Sequence, residues 1–120
     1  MTMSEQWLIK GAAVTGGEPA DIHVKDGVIA AVGRQLEAAG AAVLDADGLV
    51  ALPGLVDLHT HLREPGREDA ETVQTGTEAA ALGGFTAVHA MANTDPVADT
   101  AGVVEQIWRL GRHAGLCDVV

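Results

Sequence analysis

Cysteine is almost absent from this sequence, with Cys117 the only one in 120 residues. A single cysteine excludes an internal disulfide framework and is compatible with a reducing compartment. Cys117 lies in the apolar run LCDVV, and its neighbours in the sequence are not the groups that activate a catalytic thiol. We therefore expect Cys117 to serve as buried packing.

Basic side chains and long apolar runs are scarce as well. Seven Lys and Arg stand against seventeen Asp and Glu, so the formal net charge is −10, which argues against nucleic acid or an anionic membrane as a partner. No stretch approaches the roughly 18 consecutive apolar residues of a membrane-spanning helix. The N-terminus, MTMSEQWLIKG, lacks the pattern of a secretory signal. The expected location is the cytoplasm.

The sequence does contain two regions that differ in their secondary-structure patterns. Residues 1–53 show short β-prone runs separated by tight turns, and Asp26-Gly27 is a strong signal for a hairpin because both central residues of a type I′ turn need positive φ. A second Asp-Gly pair follows at 47–48. This region is predicted to be a small antiparallel β module.

The texture changes at Pro53-Gly54, and residues 54–120 alternate between strand and helix patterns. LVDLHTHL, FTAVHAM and LCDVV read as buried strands, and the segments 68–84 and 100–115 between them read as helices, with Trp108 expected in the core. Strand, helix, strand, helix, strand is typical of a parallel α/β fold. The predicted boundary between the two regions is therefore at residues 53 and 54.

The first of these strands carries an unusual polar set in the run VDLHTHLREPG, residues 56–66. Strict alternation predicts Asp57, His59, His61 and Arg63 on one face of the strand. A lone histidine in a strand is usually a hydrogen-bonded structural residue. Two histidines at i and i+2 point the same way and suit a single divalent cation, so His59 and His61 are candidate metal ligands.

Arg63 and Asn93 follow the first and second of these strands. Ligands of parallel α/β folds gather at the carboxyl ends of the strands, so both side chains are expected at one rim. The guanidinium matches a carboxylate, and an amide both donates and accepts, which together suit a small acid with amide groups. The alternative for Asn93 is an ordinary turn residue in NTDP.

The strings PGLVDLHTHLREPG and GGFTAVHAMANTDP, with the β module before them, resemble the cyclic amidohydrolases, most closely the dihydroorotases of bacterial type. The resemblance implies a TIM-like (β/α)8 barrel, of which this chain would hold the first units after the β module. It also implies the reversible, zinc-dependent cyclisation of N-carbamoyl-aspartate to dihydroorotate in pyrimidine biosynthesis.

The resemblance places roles residue by residue. His59 and His61 match the histidines that bind the more buried of two zinc ions, while His61, Arg63 and Asn93 match residues that contact the substrate. Ala92 stands where the family usually has proline, which leaves Asn93 in register. The remaining zinc ligands and the catalytic aspartate of the family have no counterpart among these 120 residues, so no catalytic residue is assigned here.

Two alternatives stay open at this point. One is a non-catalytic dihydroorotase-like subunit that acts as a structural partner of aspartate transcarbamoylase. The other is a different cyclic amidohydrolase, allantoinase-like or hydantoinase-like, although Arg63 and the REPG continuation favour a substrate with a carboxylate. The expected partner is a small molecule, and a homodimer is a further hypothesis.

Overall fold

The computed structural model describes residues 5–120 of the chain. The chain divides into two compact units, Met1–Pro53 and Gly54–Val120. The first is a β-sheet module and the second is built from strands and helices in alternation. In residues 5–120 no helix combines the length and the apolar composition needed to cross a membrane.

Five strands form the β module, and its first two connections are tight turns. Asp26 and Gly27 have φ of 51° and 79°, so the predicted hairpin turn with two positive φ angles is confirmed. The strand order is β3-β2-β1-β4, with β5 also paired to β1. The strands are β1 (Gln6–Val14), β2 (Pro19–Lys25), β3 (Val28–Gly33), β4 (Ala42–Asp45) and β5 (Val50–Ala51).

The sheet of the module is mixed, and the prediction of a wholly antiparallel module was wrong in this detail. The strands β1, β2 and β3 pair antiparallel, but β4 and β5 both run parallel to β1. The second Asp-Gly pair lies between β4 and β5, where the N–H of Leu49 donates to the carbonyl of Ala46 at 3.0 Å. This turn interrupts the edge strand without reversing it, because both flanking strands have the same neighbour.

Asp21 is the buried charge of the β module, at 6% exposure. Its two carboxylate oxygens accept hydrogen bonds from the backbone N–H groups of Gly11 and Leu36, both at 3.0 Å. The Lys10 ammonium lies 3.9 Å from Oδ2. Both oxygens therefore have partners within the module, as a buried carboxylate requires.

The second unit confirms the predicted strand–helix alternation. Its three strands pair parallel in the order β6-β7-β8, and one helix follows each of the first two. The elements are β6 (Leu55–Thr60), α1 (Val73–Leu82), β7 (Phe85–Ala90), α2 (Ala101–Ala114) and β8 (Asp118–Val119). The buried core residues are Leu62, Val73, Val88, Ile107 and Val119.

The helix α2 agrees with its predicted range, whereas α1 begins later than predicted. Thr100 caps the start of α2 and Gly115, at φ 66°, ends it. The helix α1 begins at Val73 instead of residue 68, because Thr72 forms a capping box with Thr75 and so marks the first turn. The acidic stretch before Thr72 is a loop.

The packing of α2 against β8 is close, and it corrects one prediction about the core. A Cβ at Gly111 would lie 2.5 Å from side-chain atoms of Val119, so glycine is required for this approach. Trp108 on the same helix is 48% exposed, so the prediction that it is a core residue was wrong. Cys117 is half-buried against the core, in agreement with a packing role.

Candidate functional site

The loops that follow β6 and β7 lie side by side, because parallel strands end at the same edge of a sheet. The N–H of Met91 donates to the carbonyl of Thr60 at 2.8 Å, and the N–H of Asp95 donates to the carbonyl of Pro65 at 3.0 Å. These two hydrogen bonds tie the segment carrying Asn93 to the segment carrying Arg63. The ends of β6 and β7 and the loops that follow them, residues 61–72 and 91–100, thus form one edge, here called the platform.

His59 and His61 bring their ring nitrogens together on this platform. The two Nε2 atoms are 3.2 Å apart, with ring centroids 5.0 Å apart and ring planes inclined by 60°. Two nitrogens bound to one tetrahedral zinc ion, each about 2.0–2.1 Å from it, lie about 3.3–3.4 Å from each other. The observed separation fits two ligands of a single ion, so the residues present suit the metal that the resemblance implies.

The amide of Asn93 contacts the far side of the His61 ring. Its Oδ1 lies 2.8 Å from Nδ1 of His61, a hydrogen bond in which the ring N–H donates to the amide oxygen. With the proton on Nδ1, the Nε2 atom of His61 keeps a free lone pair. The nitrogen that faces His59 is therefore the one able to bind a cation.

Asp57 does not belong to this group, and the predicted alternation along β6 was wrong at that point. Asp57 pairs with Val88 and Thr60 with Ala90, so β6 advances by three residues where β7 advances by two. This β-bulge changes which face each side chain takes. Asp57 instead lines a cavity of about 230 Å³ beside α1, together with Thr60 and Leu62.

The carboxylate of Asp57 supports the bulge. Its Oδ1 accepts a hydrogen bond from the backbone N–H of His59 at 2.9 Å, and this bond holds the pKa of Asp57 below its ordinary value. The charged form is the one that holds the N–H. Asp57 thus fixes the backbone at the first histidine instead of serving as a ligand.

Arg63 lies in the loop after β6 with its backbone at φ 62°, a region that residues other than glycine seldom adopt. The following residue anchors the loop, because Oε2 of Glu64 accepts the N–H of Val73 at 2.7 Å, at the first residue of α1. The side chain of Arg63 is exposed, and within residues 5–120 it has no hydrogen bond or ion pair. Among the described residues its guanidinium donors are therefore unoccupied.

Gly66 is the point where the loop after β6 packs against the loop after β7. Its φ is 109°, and a Cβ built there would lie 2.5 Å from the carbonyl oxygen of Asp95 and 2.9 Å from its nitrogen. Backbone atoms cannot move aside as a flexible side chain can. The sequence pattern Glu-Pro-Gly therefore encodes the contact between the two loops as well as the end of a strand.

The structure places the four residues singled out from the sequence on this platform and joins three of them directly: His59, His61 and Asn93. Arg63 is on the same loop without a direct contact to them among the described residues. In that part of the chain no group of three or more His, Cys, Asp or Glu side chains is arranged to hold a metal ion. The described residues offer two imidazole ligands.

Sequence reasoning missed two supporting contacts, that of Glu64 with the start of α1 and that of Asn93 with His61. The loop position of both residues was visible, but a hydrogen bond between side chains 32 positions apart depends on the parallel pairing of two strands. The sequence did carry a signal for the Glu64 contact. Thr72 is a preferred capping residue and so marks the start of a helix, and a carboxylate such as that of Glu64 is favoured near a helix start.

Comparison with known proteins supplies the family. The Dihydro-orotase-like family matches residues 48–119. A dihydroorotase of Streptomyces coelicolor is 70% identical over 112 residues, which are 93% of this chain and 26% of that protein. A dihydroorotase of Mycobacterium tuberculosis is 57% identical over 114 residues, with the same two shares. This chain thus spans about a quarter of the length of these relatives.

Solved structures show the same fold. The L-hydantoinase (dihydropyrimidinase) from Arthrobacter aurescens superposes with a TM-score of 0.76 at 27% identity, over 91% of this chain and 25% of that one. The dihydropyrimidinase from Brevibacillus agri gives a TM-score of 0.63 at 35% identity, over 75% of this chain and 20% of that one. The predicted fold class, the first β/α units of an amidohydrolase barrel preceded in the sequence by a β module, is confirmed by these likenesses.

Proposed function

The chain belongs to the dihydro-orotase-like family, and on this premise we propose that it is the N-terminal part of a dihydroorotase. The reaction is the reversible ring closure of N-carbamoyl-L-aspartate to dihydroorotate, a step of de novo pyrimidine biosynthesis. The observation that carries the proposal is the platform itself, where the side chains of His59, His61 and Asn93 are in contact and Arg63 is exposed in the loop that carries His61.

The paired imidazoles are proposed to hold zinc. The 3.2 Å separation of their Nε2 atoms supports a shared ion, and in this family two zinc ions per active site are expected. A zinc ion held there would supply Lewis-acid polarisation of a carbonyl group and would lower the pKa of a water molecule. The part of His59 and His61 would be to present their Nε2 atoms, unprotonated once the ion is bound, in the required geometry.

Arg63 and Asn93 are proposed to hold the substrate. A guanidinium with free donors matches the carboxylate that dihydroorotate and N-carbamoyl-aspartate share. The amide NH2 of Asn93 can donate to the same carboxylate while its oxygen stays on His61. His61, Arg63 and Asn93 together would orient the acid at the platform, which favours reaction by holding the reacting groups in place.

Proton transfer is not assigned to any residue of this chain. Asp57 holds the N–H of His59, and Glu64 holds the N–H of Val73. Both carboxylates are thus occupied by backbone donors. We propose that the group that moves the proton, and the remaining zinc ligands, lie in the part of the enzyme that this chain does not cover.

The alternatives are less well supported. A non-catalytic partner of aspartate transcarbamoylase has no need for two imidazoles set 3.2 Å apart. A hydantoinase is favoured by the fold likeness, but the identity to dihydroorotases reaches 70%, against 27% for the hydantoinase with the higher TM-score quoted above. A cytoplasmic location, a homodimer and an association with aspartate transcarbamoylase stay predictions.

The test compares two ring substrates that differ in one group. The full-length enzyme containing these residues is assayed with dihydroorotate and with dihydrouracil, which has the same ring without the carboxylate. We expect turnover of dihydroorotate and a kcat/KM lower by about tenfold or more for dihydrouracil, since a charged hydrogen-bonded contact contributes about 1.5–3 kcal/mol. Preferred turnover of dihydrouracil would replace this proposal by a hydantoinase.

A further inference from the structure

We infer that Asn93 is a positioning residue for the metal-binding imidazole of His61, in addition to its proposed contact with substrate. The inference deepens the proposed function, because it rests on the assignment of His61 to the metal. It concerns how the ligand is prepared, which the family membership does not state.

The hydrogen bond sets the tautomer of His61. The Oδ1 atom of Asn93 is an acceptor only, so at 2.8 Å it requires the proton on Nδ1 of the ring. A neutral imidazole has one N–H, and Nε2 is then the bare nitrogen that faces His59. An imidazole with the opposite tautomer would present an N–H to the cation and could not bind it.

The backbone holds the amide in place. Two residues before Asn93, the N–H of Met91 donates to Thr60, and two residues after it, the N–H of Asp95 donates to Pro65. Both acceptors flank His61 on the other loop. The amide is therefore fixed relative to the ring it contacts, and a bond between fixed groups costs little ordering entropy.

The two histidines differ in their support. The backbone of His59 is held by Asp57, and in the described part of the chain its ring is hydrogen-bonded to His61 alone. The ring of His61 is held from its far side by Asn93. Within these residues, loss of the amide oxygen would leave both rings free to rotate, because each is then held only by the other.

The experiment separates the acceptor from the donor of Asn93 in the full-length enzyme. Asn93→Leu removes both with little change in size, whereas Asn93→Asp keeps an acceptor and replaces the donor by a negative charge. Thr94→Val is the matched control, since it removes the hydrogen bond from Thr94 to the carbonyl of Pro96 in the same loop and leaves His61 alone. Zinc affinity of the metal-free protein is measured by competition with a coloured chelator, and KM and kcat are measured for dihydroorotate.

We expect Asn93→Leu to weaken zinc binding by about 10- to 100-fold, the usual effect of removing a partner behind a ligating histidine. Asn93→Asp and Thr94→Val should bind zinc as the wild type does or more tightly. KM should rise in both Asn93 variants, and most in Asn93→Asp, because its carboxylate repels that of the substrate. The rescue of affinity by an aspartate that cannot rescue KM is the signature of the positioning role.

Two results would overturn the inference while leaving the proposed function in place. One is wild-type zinc affinity in Asn93→Leu with a raised KM, which would make Asn93 a substrate contact only. The other is an affinity in Asn93→Asp as low as in Asn93→Leu, which would show that the acceptor is not the cause. A wild-type protein that binds no zinc would overturn the proposed function as well.

Discussion

The polar groups of the two units differ in whether their hydrogen-bonding capacity is occupied. In the β module, Asp21 is buried, and its oxygens are occupied by the N–H groups of Gly11 and Leu36. In the β/α unit, the polar side chains gather at the strand ends, where the imidazole nitrogens of His59 and His61 face each other and Arg63 keeps its donors free of contacts among the described residues. A polar group with local partners is structural, whereas convergent groups with spare capacity indicate a ligand.

This contrast predicts its largest effect at the two histidines. Replacing His59 or His61 by alanine in the full-length enzyme should remove zinc and lower kcat/KM by more than about 100-fold, since loss of an outer partner alone costs 10- to 100-fold. His23→Ala in the β module is the matched control, because that ring is bound to Gln6 at 3.1 Å. Metal analysis and kinetics of the three variants provide the measurement. Full zinc content after either platform substitution would reject the metal assignment.

The next effect concerns Arg63, which is expected to act on substrate and not on metal. Arg63→Met keeps the stem and removes the guanidinium, so kcat/KM for dihydroorotate should fall by about 1.5–3 kcal/mol, roughly 10- to 150-fold, at unchanged zinc content. Arg34→Met in the β module is the control, since Arg34 is an exposed arginine paired only with Glu18 among the described residues. Equal kinetics for both arginine variants would make Arg63 an ordinary surface residue.

The sequence predicted the elements of both units better than it predicted how their side chains are turned. The β/α alternation and the caps of α2 follow from local patterns, so they were predictable. The bulge in β6 was not, because it arises from the register between two strands; Asp57 lines the cavity beside α1 as a result. The parallel placement of β4 depends equally on a partner strand distant in the sequence.

The site divides in the same way. His59, His61, Arg63 and Asn93 were found from residue type and from their position at strand ends. The contact between Asn93 and His61 could not be found, since it joins residues of two different loops at a distance set by tertiary packing. The sequence thus indicated which residues belong to the site, while the structure was needed to show which of their side chains contact one another.

A third prediction tests the structural half of the contrast. Asp21→Asn leaves one of the two N–H donors facing an NH2 group, so the free energy of unfolding should fall by about 1–3 kcal/mol. Zinc content should not change, because Asp21 lies in the β module. Urea unfolding provides the measurement, with the exposed Glu37→Gln as a control for loss of a negative charge. A loss of zinc without a loss of stability would contradict the structural role.

The smallest expected effect is at Cys117, which reports on the β/α unit alone because residues 1–53 contain no cysteine. Burial raises the pKa of its thiol, and the carboxylate of Asp118 adds to the increase. Since the thiolate is the form that reacts, alkylation of the folded protein should be slow at neutral pH and should rise with pH at a higher midpoint than in urea. Asp118→Asn should lower that midpoint only in part, because burial stays.

The raised pKa of Cys117 also makes the stability of the folded protein depend on pH. As pH rises between the ordinary and the raised pKa of Cys117, the unfolded chain loses its proton first, so the folded state becomes less stable over that interval. Cys117→Ser should weaken this pH dependence, because a serine hydroxyl does not titrate there. Unfolding in urea at several alkaline pH values checks the slope. Identical alkylation midpoints for the folded and unfolded wild type would show that Cys117 is freely solvated and that its packing role is wrong.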